Sequence, residues 1–265
     1  MRGCCERTRG WMRPPRTTSS GDAYPALAKG AGGLAAACVL AVAAVASISG
    51  SQLVAQDRTT GARFVVVLDA AHGGSDDGAR LSNGQQEKAQ TLALSVRLRS
   101  LLAARGMAVV TTRESDIAVD ADRRAEIANR ANAQACLSLH ASETGSGVHL
   151  FVSSLAPVQG ARVLAWNTAQ AAWVQRSLSL AGAMNSALGH AGVAVTVGRT
   201  ALPAIDSMAC PAVAVEVAPE RASKAPGDGQ GADGVDDPDY QARVAEALAA
   251  ALVEWRQEAA GARHP

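Results

Sequence analysis

Residues 64–74 read Phe-Val-Val-Val-Leu-Asp-Ala-Ala-His-Gly-Gly, a nearly unbroken apolar run that ends in a histidine and two glycines. A run without polar alternation is typical of a β-strand that is buried on both faces. The glycines predict a turn directly after the strand, and this turn would place the imidazole of His72 in a crevice at the end of a sheet. A lone histidine at such a position is more often a polar surface group than a ligand, so His72 alone indicates no function.

Strand-like and helix-like segments alternate along the rest of the chain. Strands are predicted at 64–70, 107–112, 136–139, 147–152, 193–197 and 211–217. Helices are predicted at 89–104, at about 120–132 with Asp120 or Asp122 as the cap, at 160–190 as one long or two short helices, and at 240–258, with a Gly/Asp/Pro-rich loop at 222–239. This alternation predicts an α/β fold, with a mostly parallel twisted sheet and helices on both faces. Binding sites in such sheets lie at the carboxyl ends of the strands.

The start of the chain has the composition of an export signal or a membrane anchor. Five arginines and one lysine lie in the first 29 residues, and residues 30–48 carry no charge. A basic segment before a long apolar run predicts export with the basic end inside, and the small residues at 44–46 favour cleavage. The alternative, a buried core helix, does not explain the basic flank. We assign 1–50 to this leader and 51–63 to a connector, and we predict a protein exported to the periplasm or cell envelope, held at the inner membrane if the leader is not cleaved.

Two cysteines lie outside the leader. Cys136 and Cys210 could pair, because exported domains commonly contain disulfides. They could equally be small buried apolar side chains near strand starts. We favour the second interpretation.

Three further residues could carry chemistry. Glu87 lies at the start of a predicted helix, where an acid usually only favours the helix dipole. His140 ends a predicted strand, where a histidine is again more often structural. Glu216 lies inside an apolar strand, where a carboxylate is costly unless it is paired, protonated or bound to a cation.

Together these residues are more informative than any one of them. Two histidines and one carboxylate make the ligand set of a catalytic zinc site, in which the fourth position is left for water. A further glutamate would supply the base that such a site needs. Because the residues belong to separate elements, their spacing does not show that they meet.

The chain resembles the zinc-dependent N-acetylmuramoyl-L-alanine amidases of the Amidase_3 type over about residues 64–256. Six motifs of that family occur in order: Ala70-Ala-His-Gly-Gly74, Gly84-Gln-Gln-Glu-Lys88, Thr112-Arg-Glu-Ser-Asp116, Arg124-Ala-Glu-Ile-Ala-Asn129, Ser138-Leu-His-Ala141 and Pro211-Ala-Val-Ala-Val-Glu216. The resemblance implies that His72, Glu87 and His140 bind Zn²⁺ and that Glu216 is the catalytic acid/base. It also implies one catalytic domain at 64–258, followed by a tail at 259–265.

The implied reaction is hydrolysis of the amide bond between N-acetylmuramic acid and L-alanine in peptidoglycan. Four positions depart from the family pattern, namely Ala71, Thr91, Gln134 and Ser142. None of them removes a predicted ligand or Glu216, so we expect an active enzyme. The alternatives are another zinc-dependent hydrolase of the envelope, such as a peptidase or deacetylase, and a non-catalytic wall-binding relative.

The expected partner is peptidoglycan. A net charge of +1 gives no electrostatic basis for binding nucleic acid.

Some members of the family carry an inserted helix that blocks the metal until an activator moves it. The chain between His140 and Glu216 is only long enough for the fold itself, so we predict an uninhibited site. The sequence does not identify an activator or a preferred stem peptide.

Overall fold

The apolar segments form the strands of one six-stranded sheet in the computed structural model, which describes residues 63–81, 84–160, 163–220 and 234–261. The strands are β1 (Val65–Ala70), β2 (Ala108–Thr111), β3 (Ala135–Ala141), β4 (Val148–Ser153), β5 (Val195–Thr200) and β6 (Ala212–Val217). The helices are α1 (Glu87–Ala104), α2 (Ala121–Arg130), α3 (Val174–His190), α4 (Pro203–Asp206) and α5 (Pro238–Gly261), with a 3₁₀ helix at Trp166–Ala172 before α3.

The strand order is β2-β1-β3-β6-β4-β5. The first four strands of this order are mutually parallel, β4 is antiparallel to β6, and β5 is parallel to β4. The predicted α/β class with a mostly parallel sheet is therefore confirmed. In this topology the carboxyl ends of β1, β3 and β6 lie side by side at one edge of the sheet, and the chain enters β4 at the same edge.

Helices cover both faces of the sheet, as predicted. Helices α1, α3 and α5 pack together on one face, where Leu98, Leu180 and Leu248 are fully buried. Helices α2 and α4 pack on the other face over Ala128 and Ile205. Full burial of a leucine or isoleucine side chain stabilises a fold by about 1.5–3 kcal/mol. These two layers of buried side chains therefore fix the helices against the sheet.

The start of α2 shows how the sequence sets a local boundary. The Asp120 side chain accepts a hydrogen bond from the backbone N–H of Arg123 at 2.7 Å. This selects Asp120, rather than Asp122, as the helix cap. Such a cap contributes about 0.5–2 kcal/mol.

Cys136 and Cys210 form a disulfide, so the favoured interpretation of two unpaired buried cysteines was wrong. Cys136 lies early in β3 and Cys210 just before β6. These two strands are neighbours, and the two Cα atoms are 6.3 Å apart. Both side chains are buried, and burial is expected of a paired and of an unpaired cysteine alike. Closing a loop across 74 positions stabilises the folded state by about 2–4 kcal/mol in the chain-entropy description.

Several predicted segments lie outside the described residues. These are the leader at 1–50, the connector up to residue 62, residues 222–233 of the predicted loop and the last four residues of the tail. Within the described ranges, no helix has both the length and the apolar character needed to cross a membrane.

Candidate metal centre

His72 lies in the turn after β1 with a positive φ of 61°, a conformation that non-glycine residues seldom adopt. Its Nδ1 is 2.9 Å from Oδ2 of Asp76, and this hydrogen bond lowers the pKa of the Asp76 carboxyl. An Nδ1–H that donates to a carboxylate leaves the Nε2 lone pair of a neutral ring facing the other way. The turn thus orients Nε2 as a possible ligand atom.

His140 has a matching arrangement at the end of β3. Its Nε2 is 3.4 Å from Oγ of Ser138, and that hydroxyl donates to Oδ2 of Asp69 at 2.8 Å. The Ser138 hydroxyl can therefore accept a hydrogen bond from Nε2 of His140, and in that tautomer Nδ1 is the possible ligand atom. The two rings are nearly perpendicular, with centroids 5.7 Å apart.

Glu87 is the first residue of α1 and lies between the two rings. Its Oε2 is 3.1 Å from Nε2 of His72, and its Oε1 is 3.0 Å from Nδ1 of His140. The backbone N–H groups of Ala79 and Ala141 also donate to its two oxygens, at 2.9 and 3.2 Å. Burial raises the pKa of Glu87, since the residue is only 5% exposed, but the hydrogen bonds from His140 and Ala79 outweigh it, and the net pKa lies below its usual value.

The three residues therefore form one group. One ligand atom from each of His72, Glu87 and His140 lies within 4.8 Å of the others. Gly78 closes the group on one side with a φ of +66°, and a Cβ at this position would collide with the His72 ring and the Glu87 carboxylate. The space around the three ligand atoms thus depends on a glycine.

Two buried arginines hold the backbone beside His72. Arg124 donates to Oδ1 of Asp69 at 2.5 Å, to the Ala70 carbonyl and to the His72 carbonyl. Arg113 donates to the Ala70 and Ala71 carbonyls. Both arginines lie within family motifs and had no predicted role. In the structure they fix the turn that presents the imidazole.

A polar clamp ties this turn to α1. Lys88 contacts the carboxylates of Asp77 and Asp116 at 2.7 and 3.1 Å and donates to the Gly74 carbonyl. Hydrogen bonds to Asp77 and Asp116 raise the pKa of Lys88. The residue next to Glu87 in the chain therefore helps to keep the glycine turn and the start of α1 together. Thr91 is one of the positions that differ from the family pattern. Its hydroxyl donates to the Ala71 carbonyl at 2.9 Å and supports the same turn.

Glu216 lies beside this group rather than within it. It is the direct cross-strand partner of His140 on β3 and of His149 on β4. Its Oε1 is 2.9 Å from Nδ1 of His149, and its side chain is 30% exposed. Sequence reasoning selected Glu216 but missed His149. The only signal for His149 was a polar residue inside the apolar segment 147–152.

Fold and site together define an α/β protein with a candidate metal centre of two histidines and one glutamate at the carboxyl edge of its sheet. The family model for Amidase_3, N-acetylmuramoyl-L-alanine amidase, matches residues 66–254. The chain belongs to this family.

Curated relatives match a shorter stretch. The N-acetylmuramoyl-L-alanine amidase AmiA of Escherichia coli K12 is 39% identical over 84 residues, which is 32% of this chain and 29% of that protein. The sporulation-specific N-acetylmuramoyl-L-alanine amidase of Bacillus subtilis 168 is 38% identical over 82 residues, 30% of this chain and 32% of that protein. The chain thus matches less than a third of the length of these relatives.

Solved structures match nearly the whole domain. The catalytic domain of CwlV, an amidase of Bacillus (Paenibacillus) polymyxa var. colistinus, has a TM-score of 0.56 and 24% identity, covering 73% of this chain and 98% of its own. The apo form of Ami1 from Mycobacterium abscessus has a TM-score of 0.57 and 21% identity with the same coverage. At these identities the likeness shows the shared fold.

Proposed function

We propose that this protein is a zinc-dependent N-acetylmuramoyl-L-alanine amidase. Its substrate would be peptidoglycan, and the bond cut would join the lactyl group of N-acetylmuramic acid to L-alanine. The observation that carries the proposal is the group of His72, Glu87 and His140, with Glu216 on the adjacent strand, in a chain of the amidase family.

The donor set fits zinc. Two imidazole nitrogens and one carboxylate are the usual three protein ligands of a catalytic zinc site. Asp76 and Ser138 can each accept a hydrogen bond from the ring nitrogen that faces away from Glu87, and in that tautomer the other nitrogen of each ring is free to bind an ion. His72, Glu87 and His140 would hold the ion.

The chain's own residues supply the remaining chemistry. Zinc, when bound, polarises the scissile carbonyl and lowers the pKa of water. Glu216 accepts the proton of the attacking water on its carboxylate and delivers it to the leaving amine of L-alanine. Arg113 and Arg124 keep the turn at His72 in place during the reaction, because both bind the backbone carbonyls of that turn.

Analysis of the reaction products distinguishes an amidase from the alternative functions. We expect the purified chain, with zinc and no partner protein, to release new L-alanine amino termini from purified peptidoglycan. The side chains of His72, His140 and Glu216 are 25%, 34% and 30% exposed, which supports access of substrate without an activator. Released acetate would indicate a deacetylase, and amino termini of other residues a peptidase. Wall binding without any product would indicate a non-catalytic relative. Activity that appears only with an added activator would contradict the prediction of an uninhibited site.

We also propose that the protein works outside the cytoplasm, in the periplasm or cell envelope. The basic and apolar composition of residues 1–50 supports this, as does the Cys136–Cys210 disulfide, since such bonds persist in oxidising compartments. A fusion of residues 1–60 to a reporter that is active only after export should give signal. A silent fusion that stays in the cytoplasm would disprove export.

A further inference from the structure

His149 lies in a row with the proposed machinery. Residues that are direct partners on adjacent strands project to the same face of a sheet. His140, Glu216 and His149 are such partners across β3, β6 and β4. The row thus places one imidazole on each side of Glu216, and only His140 belongs to the candidate metal group.

The contact between His149 and Glu216 is direct. Nδ1 of His149 is 2.9 Å from Oε1 of Glu216. Of the residues that the structure describes, His149 is the one whose side chain or backbone donates to the Glu216 carboxylate. It therefore fixes one of the two carboxylate oxygens and leaves Oε2 without a donor from the described chain.

The surroundings of His149 hold its ring in this position. Gly145, with a φ of +89°, lies so close to the ring that a Cβ there would collide with it. The ring of Phe151, on the same strand, packs edge-on against the His149 ring, with the two ring centroids 6.3 Å apart. His149 is only 16% exposed. A ring confined by a glycine loop and an aromatic side chain presents its Nδ1 to Glu216 in one orientation.

We propose that His149 is a positioning residue for the catalytic carboxylate, an inference that rests on the proposed function. Its Nδ1–H donates to Oε1 of Glu216 and sets the plane of the carboxylate, so that Oε2 is the oxygen that takes and returns the proton. Proton transfer requires heavy atoms within hydrogen-bond reach. A carboxylate that rotates freely would meet this requirement less often, at a cost in kcat rather than in substrate affinity.

A matched pair of variants tests the role. In His149→Asn the amide nitrogen is bonded to Cγ, as Nδ1 is in histidine, so the donor to Glu216 is kept. In His149→Gln the amide group lies one carbon farther out, near the place of Nε2, and that donor is lost. Both replacements are neutral and polar, and zinc content and thermal unfolding of each purified protein show whether site and fold survive.

The measured quantities are kcat and KM for release of L-alanine amino termini from a soluble muropeptide. His149→Gln should lower kcat by about 10–100-fold, the scale of a misplaced catalytic group, with KM and zinc content close to those of the wild type. His149→Asn should restore most of kcat. In a Glu216→Gln background, His149→Gln should cause little further loss, because residues that act as a unit are not additive.

Three results would overturn the inference while the proposed function stands. They are a wild-type kcat in His149→Gln, an equal loss in the Asn and Gln variants, and a full additional loss in the Glu216→Gln background. A wild-type protein that holds zinc yet releases no L-alanine termini would instead overturn the proposed function, and this inference with it.

Discussion

Glu216→Gln is expected to keep its zinc and its fold while losing at least about 10²–10⁴-fold in kcat, the contribution of a positioned acid/base group. The amide has nearly the size of the carboxylate, and its oxygen can still accept from Nδ1 of His149, so the cross-strand contact should survive. The amide cannot accept the proton of the attacking water. Because Glu216 lies outside the group of three ligand atoms, its replacement should leave metal affinity nearly unchanged.

Zinc per chain and the rate of L-alanine release would be measured on the same purified preparation. Glu254→Gln is the matched control, since Glu254 is exposed on α5, and it should keep the wild-type rate. A Glu216→Gln protein that loses its zinc would show that Glu216 is a ligand. One that keeps its rate would show that it carries no proton.

Glu87→Ala is expected to lose zinc and activity together. Ligands contribute binding free energy directly, and the two remaining histidines should hold the ion weakly. The change also removes the acceptor for the backbone N–H groups of Ala79 and Ala141. An unsatisfied buried donor costs about 1–3 kcal/mol, so a lower stability should accompany the loss of metal.

Thermal unfolding and zinc titration separate these two effects. Added zinc should raise the unfolding temperature of the wild type, because a ligand that binds only the folded state stabilises it. The same addition should have little effect on Glu87→Ala. If Glu87→Ala bound zinc like the wild type, or kept full activity, Glu87 would not be a ligand.

The strands and long helices were predictable because each one carries its own local pattern, an apolar run for a buried strand or an apolar stripe for a helix. The run at 64–70 became β1, and the amphipathic segments became α1, α2 and α5 within a few residues of their predicted ends. The order of the strands was not predictable, since an apolar run identifies a strand but not its neighbour in the sheet. Helix α4 was missed because four residues are too few to show a period. It is held by packing on α2.

The candidate ligands were predictable only as a set. Each of His72, Glu87 and His140 alone has an ordinary structural explanation. Only the order of the family motifs implied that the three residues bind one ion. The His149–Glu216 contact and the disulfide were not predicted for one shared reason. In each pair, the two residues lie far apart in the chain. His149 meets a residue 67 positions away, and Cys136 a residue 74 positions away. No local pattern reports a contact of that range.

Zinc held by His72, Glu87 and His140 is expected to support amide hydrolysis. The rate of L-alanine release from peptidoglycan would be measured as zinc is returned to protein that a chelator has stripped of metal. We predict that the stripped protein is inactive and that activity rises with added zinc to a plateau at about one ion per chain, as a single three-ligand site requires. Full activity of the metal-free protein, or a stripped protein that binds zinc without regaining activity, would show that zinc at this site does not support the hydrolysis.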